Sequence, residues 1–148
     1  MKASEFDRRF DAGEDVTDAV DWEKATRPNA NDPKAGEQKR ERIAELGRHI
    51  TVLCDRHEIA CYEFIKGREE EFAIPETREV FIRPIRSPIS YLIALHEIGH
   101  VLGRYQLSRA SAVRERWAWR WAKANALIWT AAMERYYANA IERWLRGS

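Results

Sequence analysis

Apolar residues recur at three- and four-residue spacing from Glu37 to about Ile59, placing Ile43, Leu46, Ile50, Leu53, Cys54 and His57 on one face. That is the period of a helix packed against something else. The period then changes to two. Residues 61–65, 70–74 and 78–85 alternate apolar and polar positions between breaks at Lys66-Gly67 and Pro75-Glu76, as a small antiparallel sheet would. Pro84 either places the last strand at an edge or ends it. Ser87 and Pro88 supply an N-cap and a first-turn proline for a helix from about Pro88 to Leu102, which Gly103 can stop. After Ser108 there is no proline, and no glycine until Gly147, which predicts one long helix or two broken near Asn125 or Thr130. Trp117, Trp121, Leu127, Ile128, Trp129, Tyr136, Tyr137, Ile141 and Trp144 cover most faces of that stretch. A helix apolar on most faces is buried or meets another chain.

The pattern predicts an α+β domain over residues 37–148: a small antiparallel sheet packed on helices, with a helical C-terminus. Residues 1–36 read as an acidic leader and linker, because Pro28, Asn29, Asn31, Pro33 and Gly36 break any regular element. Within the leader, Phe6 and Phe10 lie one helical turn apart behind Ser4, and Val16, Val20 and Trp22 follow. Short turns there could dock on the main domain or on a partner. A length of 148 residues excludes two large domains.

Charge adds an asymmetry that the net value of +1 conceals. Residues 1–80 carry 14 Lys/Arg against 20 Asp/Glu, whereas residues 101–148 carry 9 against 3. A basic end can meet nucleic acid, but two halves of opposite sign that face each other explain the split more simply. The Trp117, Trp119, Trp121, Trp129 and Trp144 series could stack on bases, yet its helical spacing in an alanine-rich segment fits a core better. With a mean hydropathy of −0.60 and no apolar run near the roughly 18 residues of a spanning helix, the chain reads as cytoplasmic, with no membrane segment. Cys54 and Cys61 form neither a CxxC pair nor a disulfide framework, which fits reduced packing residues.

The chemistry lies in His96-Glu97-Ile98-Gly99-His100, an HExxH motif inside the predicted apolar helix. Histidines at i and i+4 share one helix face, so both imidazoles can reach one Zn2+ at about 2 Å. Glu97 beside the first ligand can act as general base toward the metal-activated water and pass the proton to the leaving amine. His49 and His57 lie on the earlier helix without a ligand-spaced partner and read as structural or solvated.

Catalytic zinc sites of this kind use three protein ligands and keep the fourth position for water. No histidine follows His100, so a carboxylate must complete the set, and the basic C-terminal stretch offers Glu115, Glu134 and Glu142. Glu115 is selected because it begins the next helix after a turn containing Gly103, where an antiparallel return brings it beside the motif. Ion pairing among Arg109, Arg114, Arg116 and Arg120 is the competing explanation for that isolated acid. Tyr105, just past the motif, is the nearest oxyanion donor in sequence, with Tyr91 and Arg104 behind it.

The segment Glu115-Arg-Trp-Ala118-Trp-Arg-Trp121-Ala122 resembles the ExxAxxFA stretch that follows HExxH in ImmA/IrrE-like metallopeptidases, with Trp121 for the phenylalanine. The resemblance spans roughly residues 37–125. It implies a zincin-like minimal peptidase domain of the gluzincin type, with zinc on His96, His100 and Glu115 and Glu97 as general base. It further implies cleavage of repressors or other regulators in bacteria, mobile elements or phages. The chain departs from that family in its short His-to-Glu connection, its heavily aromatic final helix and the lack of an LLMP-like segment downstream. The leader alone resembles the N-terminal segment of CopG- or BrnA-like antitoxins, a likeness that ends at Asn31.

The leading expectation is therefore a zinc-dependent endopeptidase acting on a protein or peptide substrate. The alternative is a non-catalytic zinc-containing binding module, or a toxin–antitoxin-associated regulator, that uses the basic aromatic C-terminal helix. Oligomeric state is open on sequence grounds.

Overall fold

The computed structural model describes residues 33–64 and 70–147. Readings of residues 1–32 and of the Lys66-Gly67 break lie outside the described residues. The elements are α1 (Pro33–Arg56), β1 (Ala60–Glu63), β2 (Phe72–Ile74), a 3-10 turn (Pro75–Thr77), β3 (Glu79–Ile82), α2 (Pro88–Leu102), α3 (Ser111–Asn125) and α4 (Ala131–Gly147). The class is α+β, as the alternation of periods predicts.

Helix α1 starts at Pro33 rather than Glu37, because a proline in the first helical turn removes only an N–H that has no helical partner. Its end is a left-handed closure. Glu58 takes φ 55°, and the Ile59 N–H bonds back to the Cys54 carbonyl at 2.8 Å, which turns the chain into β1. Leu46, Ile50, Leu53 and Cys54 form its buried stripe, as the spacing indicated.

The sheet is mixed, not antiparallel. Its order is β1-β3-β2, with β3 antiparallel to β2 and parallel to β1. The 3-10 turn closes β2 and β3 as neighbours, with Arg78 left-handed at its end. The central position falls to β3 because Val80 and Ile82 are fully buried, whereas the largely exposed β1 suits an edge. Strand β3 ends at Ile82, before Pro84.

Helix α2 runs through the centre of the fold. Ser87 accepts from the Ser90 N–H, Ser90 accepts from the Ser87 N–H, and Pro88 occupies the first turn, so the start of α2 is fixed to the residue. Ile89, Tyr91, Leu92, Ala94, Leu95 and Ile98 are wholly buried against α1, the sheet and the C-terminal helices. The Tyr91 hydroxyl lies 2.6 Å from His49 Nδ1 on α1 and accepts from the Leu127 N–H at 2.9 Å, joining three parts of the chain. Burial pushes the Tyr91 phenol up to about 12. His49 is thereby structural, and Tyr91 is removed from the candidate donors.

The C-terminal stretch is two helices, broken between Asn125 and Ala131, within the span that the sequence marked. Its aromatic residues pack inward: no Trp or Tyr from 117 to 144 is among the exposed large hydrophobic residues. Among the described residues no helix is long and apolar enough to cross a membrane.

Candidate metal centre

Helix α2 carries His96, Glu97 and His100, and α3 carries Glu115. What brings the two helices together is Gly99. A Cβ built there would sit 2.5 Å from the Ala118 carbonyl oxygen and 3.0 Å from its Cα, so only glycine permits this approach. Ala118 lies one turn beyond Glu115, and the close crossing delivers the Glu115 carboxylate onto the histidine face.

Glu115 Oε2 lies 2.7 Å from His96 Nε2, and Glu115 Oε1 lies 3.2 Å from His100 Nε2. One ligand atom from each of His96, His100 and Glu115 falls within 4.8 Å of the others, so the group could hold a metal ion. Glu134 instead meets Lys123 Nζ at 3.2 Å and accepts from Trp129 Nε1 at 2.8 Å, and Glu142 is exposed. Of the three candidate carboxylates, the structure brings only Glu115 to the histidines.

The far nitrogens of both rings are engaged as well. His96 Nδ1 lies 3.1 Å from Glu97 Oε2, and His100 Nδ1 lies 3.0 Å from Gln106 Oε1. Gln106 donates its amide N–H groups to the carbonyls of Arg104 at 3.1 Å and Arg114 at 2.8 Å, which leaves its oxygen to accept from His100 Nδ1–H. Gln106 thus holds the ring by Nδ1 and leaves Nε2 facing Glu115 as the nitrogen available to a metal.

Burial alone would lower the His96 pKa, but the hydrogen bonds and charges of Glu115 and Glu97 outweigh it and raise His96 to about 9. Burial likewise opposes ionisation of Glu115, yet the bonds from His100 and His96 hold it at about 2. Without metal the pair is an imidazolium against a carboxylate, so a cation entering the site displaces a proton from His96.

Trp119 is buried in the core, as its helical spacing indicated, and from there it also walls the site. Its ring stacks on the His96 imidazole at 3.9 Å between centroids and 14° between planes. It is 5 % exposed, and its Nε1 is buried without a hydrogen-bond partner among the described residues. The signal for this role is the position four residues after Glu115, on the same face of α3. Gln106 was also missed; it is the sole amide side chain between Gly103 and Ala110.

The triad opens into a cavity of about 1070 Å³, lined by Glu97, by the β2 edge and by residues of α3 and α4. Tyr105 does not line it. That residue takes φ 59°, is 58 % exposed and packs edge-on against Trp117 at 5.0 Å, so the sequence candidate for oxyanion donor points elsewhere. Arg104 is exposed and also outside the cavity. His57 is a loop residue whose carbonyl accepts from Arg78.

No protein-family model, curated protein or solved structure matches the chain. The functional reading therefore rests on the chain's own residues.

Proposed function

We propose that the chain is a zinc-dependent endopeptidase with a zincin-like domain, hydrolysing peptide bonds of a regulatory protein such as a repressor. The observation that carries this reading is the convergence of His96, His100 and Glu115 in an open cavity, with Glu97 buried beside the first ligand. The resemblance of the HExxH and Glu115–Ala122 segments to ImmA/IrrE-like metallopeptidases points the same way.

The donor set fits zinc. Two imidazoles and one carboxylate form a three-ligand catalytic set, and ligand atoms around tetrahedral zinc stand about 3.3 Å apart. The two imidazole-to-carboxylate distances, 2.7 and 3.2 Å, approach that spacing, and all three ligand atoms lie within 4.8 Å of one another. Zinc held there would lower the pKa of a water from 15.7 to about 7 and polarise the scissile carbonyl.

The remaining work belongs to the protein. Glu97, a residue of the same cavity lining, takes the proton of the attacking water and returns it to the leaving amine. Gln106 and Glu97 hold the two imidazoles by their Nδ1 atoms, and the Trp119 ring prevents His96 from turning.

The test is hydrolysis of fluorescein-labelled casein and a quenched-fluorescent peptide library by zinc-loaded protein. The expected result is cleavage that falls about 10²- to 10⁴-fold in Glu97→Gln, with zinc retained. A zinc-loaded parent that cleaves nothing would leave the binding-module reading in its place.

A further inference from the structure

The wall of the cavity built by α4 has a chemistry of its own. Tyr136, Ala140, Arg143 and Trp144 line it at positions i, i+4, i+7 and i+8, a single helical face. Arg109 joins them from the connection between α2 and α3. Arg109 and Arg143 are exposed and form no ion pair with a described residue. By contrast Arg114, on the same side, is spent on the Ser108 carbonyl and the Ser111 hydroxyl. The segment before and after β2 adds Glu70 and Glu76 to the lining, both exposed, while Glu71 there is paired with Arg83.

We infer that the cleft selects a peptide segment that places an acidic residue and a neighbouring aromatic residue over α4. The carboxylate meets Arg109 and Arg143, and the ring lies on Trp144 and Tyr136; Glu70 and Glu76 repel the same acid from the β2 part of the lining. This deepens the proposed peptidase reading, on which it rests, by naming its substrate class. Opposite charges on separate elements of one cleft act by rejecting the wrong orientation as much as by attracting the right one. The chain's own first 32 residues carry the same chemistry at Glu5-Phe6-Asp7, Phe10-Asp11 and Asp21-Trp22-Glu23. The segment can thus come from a separate protein or from this chain.

The experiment uses the full chain with Glu97→Gln, loaded with zinc so that nothing turns over. Fluorescein-labelled peptides of equal length carrying central Asp-Phe, Lys-Phe or Asp-Ala are titrated by anisotropy at low and high salt. Asp-Phe is expected to bind about 3- to 10-fold tighter than Lys-Phe, with the difference shrinking in salt, because exposed ion pairs are weak and screened. Asp-Ala is expected to bind about tenfold more weakly than Asp-Phe, through loss of the aromatic contact. Arg109→Glu with Arg143→Glu should reverse the Asp/Lys order. Equal binding of the three peptides, or an order unchanged by the charge reversal, would overturn the inference. Tighter Asp-Phe binding in a Phe6→Ala, Phe10→Ala, Trp22→Ala variant assigns the natural occupant to this chain; unchanged binding assigns it to a separate protein. The two readings fail separately: a chain without zinc sinks the peptidase, whereas a peptidase that cleaves all three peptides alike sinks only the selectivity.

Discussion

Replacing Gly99 with alanine tests whether the metal centre depends on the close crossing of α2 and α3. The added Cβ would meet the Ala118 oxygen at 2.5 Å, its Cα at 3.0 Å and its carbonyl carbon at 3.1 Å, all backbone atoms that no rotamer change can move away. Restoring ordinary contact requires the helices to separate by about 1 Å at this point. Overpacking of this kind costs about 1–3 kcal/mol, which in a domain of this size lowers Tm by about 4–12 °C. The separation also draws Glu115 away from His96 and His100, and metal sites tolerate only about 0.2 Å in ligand distance. Zinc affinity is therefore expected to fall by tenfold or more, measured by competition against a chromophoric chelator. Gly47→Ala is the control, since nothing lies within 4 Å of a Cβ there and helical alanine stabilises by about 0.5–1 kcal/mol. A Gly99→Ala protein with parental Tm and zinc affinity would refute the role assigned to the crossing.

Metal-free protein should show a pH window set by the His96–Glu115 pair. His96 is raised from 6.5 to about 9, so its contribution is present below about pH 6.5 and lost as pH rises through 9; Glu115 is lowered from 4.5 to about 2, so its contribution is lost as pH falls below 4.5 toward 2. Urea unfolding in chelator should lose about 2–3 kcal/mol between pH 6.5 and 9, and a flat profile there would contradict the pairing. Trp119→Phe keeps an aromatic face on His96 and should hold zinc within a few-fold of parent, whereas Trp119→Leu should lose about tenfold; equal chelator-competition affinities for the two would dismiss the stack. Tyr91→Phe strands His49 Nδ1 and the Leu127 N–H and should cost about 1–3 kcal/mol in urea unfolding without changing zinc affinity. A loss of zinc in that variant would tie the Tyr91 network to the site.

The parts of this fold that local chemistry dictates were legible in the chain. Ser87-Pro88 announces the start of α2 because capping is a contact between near neighbours, and HExxH places two imidazoles on one face for the same reason. Glu115 was recoverable because an antiparallel return after a short turn has few outcomes. The pairing of β1 with β3 was not, since alternation reveals a strand but not its partner; the burial of Val80 and Ile82 decided that. The proline and glycine of residues 33–36 read as breaks, although the first turn of a helix accepts both. Tyr105 failed as a donor because proximity in sequence ignores the left-handed residue that turns the chain outward. Trp119 was hidden among many tryptophans, and only the crossing at Gly99 reveals which of them faces a histidine.

The central claim is most directly tested by measuring bound metal by mass spectrometry on the full chain supplied with zinc, beside His100→Ala and Glu115→Ala. The site described predicts about one zinc per chain in the parent, lost in both variants. A parent that binds no zinc would contradict the peptidase account, and retention of zinc in Glu115→Ala would place the third ligand elsewhere.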